Sequence, residues 1–389
     1  MAWLKSYSHG FLNNESSVSL CFSQIYILQE RGVCVSLKLP TTVADGWVYC
    51  IREQDYLDGS IGRYVKLGLT SRTVAQRIRE HQTANPRREM SEYDINVEMM
   101  SYAEKYLHHY FAEDRIGGEW FDMDNARVLS EITPILVRLQ TEMATRKSDF
   151  VRWGQLKNQV SNGTDRSPSS TETTLHQSYM TAHENWTQAT ALHNIHKANL
   201  KAMIGTNDGI EDVLILTEIN TSDAFDDSTF QGLLTPAQLT LCDETKTTLT
   251  GSLLVTGGGS LGTLNSALQT QLANATNAIT TMPNLTNLSG TPLPLTQAIK
   301  DEHMRYLATK RRVKETEWEC LQLKAQLVVA LGLDDSITGV IVWRRTMVTS
   351  TKFSKKLAKE NFEVEYNSCL SPVPNTVRIN INEGRKYNP

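Results

Sequence analysis

The chain has 389 residues, a length that predicts two or three domains of roughly 150 residues each and excludes a single small module. With 39 Lys+Arg against 43 Asp+Glu, the formal net charge is −4, and hydrophobic residues make up 40%. Apolar runs fall far short of the roughly 18 residues of a membrane span, and six cysteines without a CxxC pair argue against a zinc ribbon or a disulfide framework.

The first stretch, MAWLKSYSHGFLNNESS, lacks the continuous apolar core of a signal peptide. The Asn-x-Ser/Thr triplets at Asn162, Asn185, Asn274 and Asn284 therefore read as by-products of composition, and the expected location is cytoplasmic. Residues 1–44 form a lead-in without an assignable role. Two β-prone runs, Gly46-Trp-Val-Tyr-Cys-Ile and Tyr64-Val-Lys-Leu-Gly-Leu, flank an Asp58-Gly-Ser-Ile-Gly turn and predict a hairpin. Thr70 and Ser71 then offer a cap for a basic helix running to His81, which Asn85-Pro86 stops. A strand over 95–100, a helix over 102–114, a strand over 119–123 and a helix over 124–146 complete a compact unit. The expected class is α/β (α+β): a small mixed sheet flanked by helices, over 45–149.

The polar segment 150–177 reads as a linker. Residues 178–295 contain a first helix-hairpin unit and a Thr/Leu/Asn-rich tract, in which Leu261, Leu264, Leu268, Leu272 and Ile279 keep helical spacing. Packing within the chain explains that spacing better than an oligomer contact. A weak internal repeat relates Leu200-Lys-Ala-Met-Ile-Gly to Leu327-Val-Val-Ala-Leu-Gly, each followed by an Asp-containing turn and a β-run. The second copy lies in 296–389, a mainly helical, basic unit with 16 basic and 11 acidic side chains over 300–389. Local basicity recurs between Arg72 and Arg88, where five arginines face only Glu80. Near-neutrality overall thus conceals surfaces suited to a phosphate backbone.

The pieces Gly46-Trp-Val-Tyr49, Lys66-Leu-Gly68-Leu-Thr, Arg77-Ile-Arg-Glu-His-Gln, Ala103-Glu-Lys-Tyr and Gly118-Glu-Trp-Phe121, in that order, resemble the GIY-YIG nuclease superfamily, in particular its T5orf172-like branch, over about residues 46–123. The C-terminal unit more loosely resembles the tail of phage YqaJ-type exonucleases. The first resemblance implies a metal-dependent endonuclease that hydrolyses DNA phosphodiester bonds, of phage or mobile-element type. It implies catalytic roles for Tyr49 (water activation or positioning), Lys66, Arg77 and Glu104, with Glu104 the ligand of Mg²⁺ or Mn²⁺. Arg72, Arg79, Arg87 and Arg88 are the expected DNA contacts. Lys66 stands where the family's second motif offers tyrosine, and serves either as a base helper or as a fixed cation.

Phosphodiester cleavage needs a base for water, a cation beside the phosphate and stabilisation of the leaving oxygen, and these residue types can supply all three. Each also has a purely structural reading: Tyr49 as a strand aromatic, Lys66 as a solvated strand lysine, Arg77 paired with Glu80 or Glu104, and Glu104 paired with His108. His108 and Glu119-Trp-Phe121 read as structural, and His193 and His196 as exposed. The alternative function is a DNA-binding or assembly protein that keeps a nuclease fold with weak or no cleavage. A homo-oligomer or a phage or host protein partner would then engage the C-terminal half, and no membrane partner is expected.

Overall fold

The computed structural model describes residues 37, 43–83, 85–257, 264–279 and 290–388; the lead-in over 1–44, apart from Leu37, Val43 and Ala44, and Leu261 lie outside them. Strand β1 (Gly46–Gln54) pairs antiparallel with β2 (Ile61–Thr70), joined by a turn in which Gly59 adopts φ +71° and Asp58 accepts the Ser60 amide at 2.8 Å. Helix α1 (Val74–Gln82) follows. Its cap is Thr73, in a capping box with Gln76, because Thr70 still belongs to β2 and its hydroxyl accepts the Arg72 amide.

Strand β3 (Arg88–Val97) starts well before the expected position 95. Its first half, Arg88-Glu-Met-Ser-Glu-Tyr-Asp, is polar because the strand lies at the sheet edge. Helix α2 (Met100–Tyr110), the short strands β4 (Arg115–Gly117) and β5 (Trp120–Asp122), and helix α3 (Thr133–Leu156), led in by a turn of π-helix at Val128–Ile132, complete the unit. The sheet order is β3-β1-β2-β5-β4 and every rung is antiparallel, where the sequence predicts a mixed sheet.

Helix α3 runs through the expected boundary at 149 because Phe150, Trp153 and Leu156 are buried in the main core. That core joins Val48 and Leu67 of the sheet, Leu107 of α2, Trp186 of the next long helix, and Trp318 and Leu327 of a second one. The expected linker is likewise tied down. Asp165–Arg166 (β6) pairs with a strand beyond residue 330, and Ser169 forms a capping box with Glu172 at the start of α4 (Ser170–Ile204). Arg166 donates to Glu172 at 2.6 and 3.0 Å, to Asp334 at 2.7 Å and to the Ala330 carbonyl at 2.9 Å.

After α4 come β7 (Gly209–Ile210), β8 (Leu214–Ile219), β9 (Ala224–Phe225), α5 (Asp227–Leu233), β10 (Asp243–Thr250), β11 (Leu254–Val255) and α6 (Ser266–Asn277). Then follow α7 (Gln297–Leu331), β12 (Ser336–Ile337), β13 (Ile341–Val342), β14 (Thr346–Phe353), α8 (Lys355–Asn361), α9 (Glu363–Ser368), β15 (Leu370–Ser371) and β16 (Thr376–Ile381). The internal repeat is real in three dimensions. Helices α4 and α7 both end at a glycine with positive φ, Gly205 at +56° and Gly332 at +61°, and both lead into a short hairpin.

The two copies exchange strands. The strand before α4, β6, lies parallel to β12 after α7, while Leu293 before α7 bridges in parallel to Ile210 after α4. Likewise β8 pairs with β16, and β14 with β10. Leu268, Leu272 and Ile279 pack on Ile195 and Ala198 of α4, so the spaced leucines serve packing within the chain. No helix among the described residues is long and apolar enough to cross a membrane.

The Arg166 cluster holds the Glu172 carboxyl down at about 2. A depressed carboxyl stabilises the fold above its ordinary value near 4.5 and loses that contribution as pH falls through 2. Arg166→Ala should therefore lower stability by about 1–2 kcal/mol at pH 7, with the gap to wild type closing toward pH 2, as measured by chemical denaturation across pH.

Candidate active site

The site is set by the register of β1 against β2. Tyr49 lies opposite Gly68 and Ile51 opposite Lys66, so Tyr49 and Lys66 share one face of the sheet. The Tyr49 ring lies flat against Gly68: a Cβ at position 68 would stand 2.6 Å from the Tyr49 hydroxyl oxygen and 2.7 Å from Cζ. Only glycine leaves room for that approach.

Val74 and Ile78 of α1 cover this face, packing on Tyr49, Ile51 and Trp47. Helix α1 consequently points Arg77, and His81 one turn later, into the same groove. The Arg77 guanidinium interacts with the Tyr49 hydroxyl and with Glu80, at 3.2 Å from the latter. Its Nε is buried without a hydrogen-bond partner among the described residues. Lys66 Nζ donates to His81 Nδ1 at 2.7 Å and lies 3.7 Å from a Glu119 oxygen. Behind His81 stands Glu89 of β3, at 3.8 Å and 7% exposed.

Glu104 enters from α2, near enough to Glu119 and Tyr49 to act on both electrostatically. It forms no hydrogen bond or ion pair among the described residues. Burial and the Glu119 charge raise its carboxyl to about 7, against the weaker pull of Lys105 and Arg115. Burial raises the Tyr49 phenol, opposed by the hydrogen bond and charge of Arg77. Burial and the charges of Lys66 and Arg77 lower His81, which keeps the imidazole neutral and able to accept from Lys66.

The structure thus brings Tyr49, Lys66, Arg77 and Glu104 to one site. His81 belongs with them and was missed, although its spacing of four from Arg77 puts it on the same helix face. Glu119, read as structural, faces Lys66. His108 is structural: its Nε2 donates to the Leu67 carbonyl at 3.0 Å, which leaves Glu104 without that partner. The four expected DNA contacts separate. Arg72 is clamped by both Glu80 oxygens, and Arg87 is held by Ser60, Glu53 and Asp55. Among the described residues, Arg79 and Arg88 are exposed without an acidic partner, Arg79 donating only to the Ala75 carbonyl. His193 and His196, expected to be exposed, instead join α4 to α7 by contacts to Thr309 at 2.9 Å and Glu302 at 2.8 Å.

No set of three His, Cys, Asp or Glu side chains that would hold a metal ion occurs among the described residues. A divalent ion here would rest on Glu104, its remaining positions filled by water and phosphate oxygens, as is common for Mg²⁺. The unpaired carboxyl, raised by burial and then by Glu119, fits that demand, since a cation would favour its ionised form. The chain matches no protein-family model, no curated protein and no solved structure.

Two measurements check this geometry. Gly68→Ala should cost about 1–3 kcal/mol by overpacking against the Tyr49 ring, and the cost should largely disappear in a Tyr49→Ala background, as read by a double-mutant cycle in urea. Because the Glu104 carboxyl is raised on folding, its ionisation penalises the native state above pH about 7 and leaves it unaffected below 4.5. With a chelator present, Glu104→Gln should stabilise the protein at pH 8 by about 1 kcal/mol after solvent screening and leave it unchanged at pH 4.

Proposed function

We propose that the protein is a metal-dependent endonuclease that hydrolyses DNA phosphodiester bonds by GIY-YIG-type chemistry, of phage or mobile-element type. One observation carries the reading: Arg77 and His81, four residues apart on α1, reach Tyr49 and Lys66 on one face of the hairpin, with Glu104 alone opposite them. The order of motifs that resembles the T5orf172-like branch supports it independently.

In this reading the scissile phosphate lies over the groove. Arg77, held between Tyr49 and Glu80, bears on a non-bridging oxygen with its guanidinium. Lys66, fixed between His81 and Glu119, is a donor in place; that geometry favours its role as a fixed cation over that of a base. The Tyr49 phenol, kept protonated by burial and held by Arg77, positions the attacking water through its hydroxyl rather than taking its proton. Bound Mg²⁺ or Mn²⁺ would supply charge neutralisation at the leaving oxygen, with Glu104 its protein ligand. Arg79 and Arg88 meet the flanking backbone.

The test is a plasmid-nicking assay with Mg²⁺. Wild type should nick, and Glu104→Ala and Arg77→Ala should each reduce the rate roughly 10²–10³-fold, with DNA affinity nearly kept. Absence of cutting by wild type with tight binding intact would leave the second reading, a DNA-binding protein on a nuclease fold. Equal cutting by both variants would remove the site assignment. Arg79→Ala with Arg88→Ala should weaken binding evenly across sequences and reduce the slope of log K against log salt by about 2.

A further inference from the structure

The C-terminal residues after β16 do not trail away from the fold. Asn382 donates from its amide to the Val213 carbonyl at 2.8 Å, and Tyr387 meets His303 of α7 at 2.9 Å. Between these anchors the chain crosses the β4–β5 hairpin. The Arg385 amide donates to the Arg115 carbonyl at 2.5 Å, and its guanidinium lies 3.4 Å from Asp122. Gly384 is buried against the same carbonyl, where a Cβ would stand only 2.5 Å from the oxygen. Glu383 joins Lys310 of α7, at 2.9 Å, to Arg115, at 3.4 Å. Lys310 is almost wholly buried and would otherwise carry an uncompensated charge.

The other side of this hairpin is the groove. Arg115 Nε donates to the Gly118 carbonyl at 2.6 Å and so braces the turn at Gly117-Gly118. The next residue, Glu119, accepts the Leu67 amide at 2.9 Å through its carbonyl and places its carboxylate beside Lys66. Three-residue strands on a sheet edge hold a hairpin weakly by themselves. We infer that Glu383–Arg385 is a positioning strap for the site: it fixes the β4–β5 hairpin where Glu119 meets Lys66, and Glu383 is its keystone. The kinetic consequence rests on the nuclease reading, whereas the placement of the hairpin does not.

The experiment uses full-length Gly384→Val, Glu383→Gln and Glu383→Asp, with Arg166→Ala as a destabilised comparison far from the strap. Two quantities are read: amide exchange at Leu67, and kcat and KM for plasmid nicking. Gly384→Val and Glu383→Gln should each speed Leu67 exchange about tenfold and lower kcat about tenfold with KM within twofold, and Glu383→Asp should restore most of both. Arg166→Ala should lose stability without either change. Unchanged Leu67 protection in folded Glu383→Gln overturns the inference even if Gly384→Val does not fold. So does a fall in kcat matched by Arg166→Ala at equal loss of stability. If wild type does not cut DNA, the nuclease reading falls and the exchange result alone decides the strap.

Discussion

The contact between the Tyr49 ring and Gly68 is the constraint on which the site depends. It fixes the register of β1 on β2, and a slip of one residue would turn every side chain of a strand to the opposite face. With the register set, Lys66 stands one cross-strand pair from Tyr49. The apolar residues left on that face are then covered by Val74 and Ile78, which orients α1 and delivers Arg77 and His81. The opposite face, bearing Val48, Val65 and Leu67, is committed to the main core with Leu107 and Phe121. Candidate-site residues and packing residues thus occupy alternate positions of the same strands.

The electrostatics of the groove are uneven. Most charged groups around it are paired: Arg72 with Glu80, Lys66 with Glu119, Arg87 with Glu53 and Asp55. Glu104 is the exception, half-buried and facing another carboxylate. An arrangement that raises a carboxyl to about 7 costs folding energy.

Much of this was legible in the sequence, for identifiable reasons. The hairpin announced itself through β-branched and aromatic runs around Asp58-Gly-Ser, and the repeat through its glycine stops after long helices. Leu268, Leu272 and Ile279 kept a spacing that the structure uses within the chain. What escaped reading was set by tertiary contacts. The first half of β3 looks like a loop because an edge strand tolerates polar residues on both faces. The segment 150–177 has linker composition, yet its polar side chains satisfy one another and the end of α7 through Arg166 and Asp334. His81 and Glu119 gain meaning only from Lys66, which is distant from both in sequence.

The exchange of strands between the two repeats carries a topological consequence. Neither half can close its own small sheets, because each hairpin borrows a strand that precedes or follows the other helix. The halves are therefore interlocked partners folded from one chain. Their sheet contacts span about a hundred residues of sequence or more and form only after long loops have closed. A chain interrupted between α6 and α7 would expose matching unpaired edges on both fragments. Those edges have each other as complement, so the covalent connection matters less to the finished architecture than the order in which its strands find their mates.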